Sequence, residues 1–186
     1  KLPSDPVKTY QTGGPLMYFG GYSDDGLNLC AEFCDVYLMW PEKKESIKNL
    51  INQMKIKAKF FKRTVNFGLR VHVIVRETEN EAREYAKKII SKLDIIKGEE
   101  IKNRALDARS LGVFRQSQMI KESDNDYFVE DSLWTGIGLA RSGCGAAIVG
   151  DPDQVLKKLK SYIKMGIKSF ILSGYPNLKE SILFAK

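Results

Sequence analysis

Arg70 and His72 stand two residues apart in the stretch FGLRVHVIVRET (residues 67–78), and His72 is the single histidine of the chain. A guanidinium is a permanent, forked cation, whereas an imidazole exchanges its proton near neutrality. Together on one face, the pair marks where a site would lie. Side chains alternate faces along a strand. Gly68, Arg70, His72, Ile74 and Arg76 therefore share one face, while Phe67, Leu69, Val71, Val73 and Val75 form an unbroken apolar face on the other. If the apolar face packs on helices, the face with Arg70 and His72 looks into something polar. The structural alternatives are an Arg70 paired with a buried acid and a His72 bonded to a backbone carbonyl.

A second concentration of unusual residues is TGIGLARSGCGAAIVG, with five glycines in residues 136–150 and Arg141 among them. Arg141 stands where the third glycine of a dinucleotide-binding GxGxxG would be, and no Gly-Lys-Ser/Thr closes a phosphate loop. On its own the run also reads as a tight connection. Cys30 and Cys34 are four apart, without CxxC spacing, and one histidine is too few for classical zinc ligation. No metal is expected, and the two thiols read as small buried residues in a reducing cytosol. Cys144 lies within the glycine run.

These residues need elements to position them. PLMYFGG (15–21) and DVYLMW (35–40) read as strands, and residues 24–34 as a short helix. Ile47, Leu50, Ile51, Met54, Ala58 and Phe61 mark one stripe of a helix over 42–61. Thr78 and Glu81 form a capping-box signal before a helix lined by Ala82, Tyr85, Ala86, Ile89, Ile90 and Leu93. Asp151 and Pro152 open another helix that Gly166 ends, KSFILSGY follows as a strand, and LKESILFAK as a helix. Alternation of strands and helices predicts an α/β chain with a parallel sheet. Ligands of such sheets lie beyond the strands' C-terminal ends, here the loops after residues 20, 39, 76 and 172. Residues 94–133 break the alternation and read as a lid-like or disordered insertion.

The net charge of +7 is carried largely by lysines on helix faces, and no nucleic-acid-binding module motif is present, so no nucleic-acid partner is expected. No apolar run approaches the ~20 residues of a membrane span. The N-terminal KLPSDPVKTYQTGGP lacks the apolar core of a signal peptide and begins without Met, as a fragment or processed product would. A cytoplasmic location is expected.

Taken in order, YFGG, DVYLMW, FGLRVHVIVRETENEA, LWTGIGLARSGCGAAIVGDPDQV and GIKSFILSGYPNLKES resemble the two-component, FMN-dependent alkanesulfonate monooxygenases of the bacterial-luciferase-like flavin monooxygenases. The resemblance runs from about residue 15 to the C-terminus. It implies that residues 1–186 are the C-terminal half of a (β/α)8 TIM barrel, strands five to eight, with residues 94–133 as a mobile insertion before the last strand. It implies that reduced FMN (FMNH2), delivered by a separate NAD(P)H-dependent flavin reductase, activates O2 to cleave a small organosulfonate into an aldehyde and sulfite. It gives His72 positioning and proton chemistry near the flavin-bound oxygen, and Arg70 the sulfonate or oxygen charge. Arg141 is expected to close over flavin and substrate, Tyr175 to hydrogen-bond them, and Trp40 to wall the pocket. Gly21, Tyr22 and Ser23 match the flavin phosphate turn, with Tyr22-Ser23 where relatives usually carry two serines. Asn177 stands where many carry a histidine, and a change of substrate choice or proton transfer is its expected effect. The resemblance also implies homo-oligomers, and an isolated chain of low activity because the family's site draws on strands one to four. The competing readings are oxygenation of a sulfone or aldehyde and a non-catalytic flavin-binding half-barrel.

Overall fold

The computed structural model describes residues 12–106 and 108–186, so most of the N-terminal run read for a targeting signal lies outside the described residues. The strand β1 (Tyr18–Phe19) leads into the helix α1 (Asp24–Phe33), whose first turn is closed by Ser23 Oγ accepting from the Gly26 N–H. Next come β2 (Val36–Met39), α2 (Lys44–Phe60) and the long β3 (Asn66–Val75), with Ile47, Leu50, Ile51, Met54 and Ala58 on the buried stripe of α2. The Thr78–Glu81 capping box starts α3 (Glu79–Ile90). Two further helices, α4 (Ile95–Arg104) and α5 (Leu111–Glu122), precede short strands β4 (Phe128–Glu130) and β5 (Leu133–Trp134). A 3-10 turn at Gly136–Leu139 and β6 (Ala147–Gly150) follow. A second capping box, Asp151 with Gln154, opens α6 (Pro152–Met165), which stops at Gly166 with φ +109°. The chain closes with β7 (Ile167–Ser173) and α7 (Asn177–Phe184).

β1, β2, β3 and β7 are parallel and adjacent in that order, an α/β arc curled into half a barrel. β3 is longer than β2 and is shared along its length. Residues 66–69 pair with β2 and residues 72–75 with β6, while β7 pairs with residues 67–72. His72 is in register with both Ala147 and Ser173, so β6 and β7 flank it on opposite edges. Antiparallel β5 and β4 extend the sheet from β6.

The alternation along β3 has the expected outcome on one face. Phe67, Leu69, Val71, Val73 and Val75 pack in the main core with Leu27, Cys30, Ile51, Met54, Val155 and Tyr162. The other face is graded rather than uniformly polar. Arg70 is partly buried, His72 is buried, and Ile74 joins a second core with Ala82, Ala86 and Trp134. Cys30, Cys34 and Cys144 are buried free thiols.

Three local expectations change. The first strand contracts from 15–21 to two residues. Residues 94–133 contain two helices capped by Asp94 and Ser110 side chains and then β4. β6 lies inside the glycine run, where glycines hide a short buried strand from periodicity. Among the described residues no helix is long and apolar enough to cross a membrane.

Candidate functional site

The loops after β1 and β2, the middle of β3 and the start of α5 enclose a cleft of about 640 Å³. Gly21, Tyr22 and Ser23 line it together with Trp40 and Arg70, so five of the expected residues share one hollow. The turn is braced from below: the Tyr37 hydroxyl donates to the Gly21 carbonyl at 2.8 Å, and the Trp40 N–H donates to Tyr22 Oη at 2.9 Å. Ser23 uses its hydroxyl oxygen as the α1 cap, which leaves its O–H proton free to donate. Asp24 and Asp25 follow in the first turn of α1 but do not line the cleft, and Asp24 pairs with Lys57 at 2.6 Å.

Among the described residues no carboxylate lines this cleft, yet two guanidiniums do, Arg70 and Arg109. Among the described residues neither has an ion-pair partner. Unpaired cations gathered in a concave site favour an anionic ligand. A second depression of about 570 Å³ lies among Lys44, Glu79, Arg83, Asp153 and Lys157 and holds none of the expected residues. Its lining mixes both charge signs.

His72 sits two residues further along β3 and is 1% exposed. Its Nε2 lies 3.2 Å from the Cys144 carbonyl, and its Nδ1 2.8 Å from Ser173 Oγ. A carbonyl can only accept, so Nε2 carries the proton and the Ser173 hydroxyl donates to Nδ1. Burial first, and then the nearby Arg141 guanidinium, push the imidazole down to about 4. The ring is therefore neutral at physiological pH, in place of the near-neutral titration of a free imidazole. The unfolded value is ~6.5, so stability that depends on the neutral ring is complete above that pH and is lost as pH falls through 4. A shift of this size corresponds to about 3 kcal/mol. Because His72 is the chain's single histidine, its proton NMR resonance reads the titration directly. The expected midpoint is near pH 4, and one near 6.5 would show an open, solvated ring.

Tyr175 lies against His72 with ring centroids 5.2 Å apart, and its phenol oxygen accepts from Arg141 Nη1. Arg141 also donates from Nε to the Ser142 carbonyl at 3.0 Å, which fixes the guanidinium on the glycine loop. The loop after β7 is clamped from behind. Arg76 makes two hydrogen bonds to Glu180, at 3.0 and 2.7 Å, and stacks 3.8 Å above the Tyr85 ring. The Tyr85 hydroxyl donates to the Tyr175 carbonyl at 3.2 Å. Asn177 is not brought to the cleft; it opens α7 and lines a separate depression with Val73, Leu172 and Glu180.

The sequence reading missed what α5 contributes. Arg109, Ser110, Leu111 and Gly112 line the cleft, and a Cβ on Gly112 would stand 2.8 Å from the Trp40 ring and 3.1 Å from that of Tyr22. The bare glycine lets α5 rest directly on both rings. Gln116 then ties the loops together: its Nε2 donates to the Pro41 carbonyl, and its Oε1 accepts from the Gly145 N–H, both at 3.1 Å. Ser110 ahead of an apolar run was the available signal for this helix. Among the described residues no group of His, Cys, Asp and Glu is arranged to hold a metal ion.

A parallel arc with its polar residues at the strands' C-terminal ends is the geometry of a barrel enzyme. Residues 2–169 match the luciferase-like monooxygenase family, and the chain belongs to it. It is 55% identical over 181 residues to a sulfoquinovose monooxygenase of Agrobacterium fabrum (strain C58), an alignment covering 97% of this chain and 47% of that protein. It is 52% identical over 188 residues to a sulfoquinovose monooxygenase of Novosphingobium aromaticivorans, covering 100% of this chain and 52% of that protein. The chain thus spans about half the length of these relatives. Its fold is similar to that of a riboflavin lyase solved with modified FMN and riboflavin, at TM-score 0.69 and 13% identity, over 94% of this chain and 42% of that one.

Proposed function

We propose that this chain supplies strands five to eight of a flavin-dependent monooxygenase barrel whose whole protein uses reduced FMN and O2 to release sulfite from a sulfonate. The class expected from sequence was the alkanesulfonates. The names of the two relatives favour sulfoquinovose, a hexose carrying a sulfonate, as the first substrate to test. Arg70 carries the reading: a forked cation with no carboxylate partner among the described residues, on the inner face of the central strand, in one cleft with the Gly21–Ser23 turn.

The donor set of the cleft fits FMN, because a braced glycine turn converges with two guanidiniums that have no ion-pair partner among the described residues. Bound there, reduced FMN would supply the electrons that activate O2. Gly21, Tyr22 and Ser23 would hold its phosphate, and Trp40 would wall the cleft against water. Arg70 would orient the sulfonate through forked, charge-assisted bonds. Tyr175, its oxygen already engaged by Arg141, has its O–H proton free for an oxygen of the reactants. His72, neutral and bonded at both nitrogens, would hold the Cys144 carbonyl and the Ser173 hydroxyl in place beside Tyr175.

The test is sulfite release by the full-length protein with FMN, NADH and a flavin reductase, on sulfoquinovose, alkanesulfonates, a sulfone and a long-chain aldehyde. Sulfite from at least one sulfonate is expected, with little from the isolated 186-residue chain. Oxidation of the sulfone or aldehyde with no sulfite from any sulfonate would overturn the substrate class.

A further inference from the structure

The reading above uses one of the two guanidiniums in the cleft. Arg109 is exposed and precedes Ser110, the cap of α5, and the first turn of that helix rests on the Tyr22 ring through Gly112. Arg109 therefore enters the cleft beside the Gly21–Ser23 turn. Arg70 lines the same cleft from β3, two positions before His72, and Arg141 lies on the glycine loop against Tyr175. A cleft that takes two anions at once needs a separate cation for each, since like charges in one hollow repel.

We infer that Arg109 is a phosphate-binding residue for the flavin, its guanidinium neutralising the phosphate at the Gly21–Ser23 end while Arg70 keeps the sulfonate at the His72 end. This assignment rests on the flavin reading above and goes beyond it by separating the two anion subsites. An arginine fits the task because its planar fork matches phosphate oxygens.

FMN and riboflavin differ by the phosphate, so the pair isolates this contact. Flavin-fluorescence titrations of the full-length protein and its Arg109→Ala and Arg109→Lys variants, with circular dichroism to verify folding, give the comparison. Arg109→Ala is expected to weaken FMN about ten-fold or more and to leave riboflavin within about two-fold, with Arg109→Lys in between. Unchanged FMN affinity in Arg109→Ala, or equal weakening of both flavins, overturns the assignment, as does a wild type that binds FMN no tighter than riboflavin. A wild type that binds neither flavin removes the flavin reading itself, and the subsite with it.

Discussion

Arg70→Ala in the full-length protein is expected to lower kcat/KM for sulfite release by ~100-fold or more. Each charge-assisted hydrogen bond to a sulfonate contributes ~1.5–3 kcal/mol, and a guanidinium offers two in parallel. Removing both costs at least two decades at ~1.4 kcal/mol per decade. Arg70→Lys restores the charge without the fork and should recover only part of the loss. Thermal stability should barely move, because the Arg70 side chain has no ion-pair partner among the described residues. A second readout follows from the electrostatics of β3. The Arg70 charge helps hold the His72 imidazole down, so its removal should raise that titration toward the usual value. Wild-type turnover in Arg70→Ala would end the assignment of this residue to the sulfonate.

Glu180→Ala is expected to destabilise the chain by about 3–5 kcal/mol, read as a lower urea midpoint. The Arg76 and Glu180 side chains are only 14% and 3% exposed, so truncating the acid strands a guanidinium in a dry setting. Replacing both with similar-sized apolar residues should recover much of the loss, since the pair's attraction largely offsets its own desolvation. The effect should reach the cleft as well. Glu180 lies on α7, and Arg76 stacks on the tyrosine that holds the Tyr175 carbonyl. A loosened α7 would release Tyr175 from Arg141 and slow turnover even where the protein remains folded. A midpoint within error of wild type would show that the pair is solvated.

The elements with strong local chemistry were legible in the sequence. Thr78 with Glu81, and Asp151-Pro152 with Gln154, close helix N-termini through bonds between near neighbours, so a short window suffices. The alternation in β3 likewise gave its core face correctly. The fate of Ile74 was not legible, because it depends on Trp134 arriving from sixty positions away to build a second core. β4 and β5 span three and two residues, too few for any period to register. Among the site residues, Arg70, Trp40 and the Gly21–Ser23 turn line one cleft. Arg109 and Gln116 were missed because they reach the cleft and its loops only through the packing of α5 on Trp40 and Tyr22. The depth of His72, bonded to the Cys144 carbonyl as one reading of the sequence allowed, was not legible for a related reason: composition carries no measure of burial.

The double use of β3 bears on how such a protein can diversify. Residues 76–166 depart from the far end of that strand and come back to its other border as β7. This stretch leaves and rejoins one backbone, and within it β6 is also zipped to residues 72–75. Extending a loop costs only about 0.6 kcal/mol per doubling of its length. Growth or trimming between α4 and α5 would then reshape the roof over a bound molecule while the ladder holding Arg70 and His72 stays zipped, which makes this stretch the natural place to retool ligand preference.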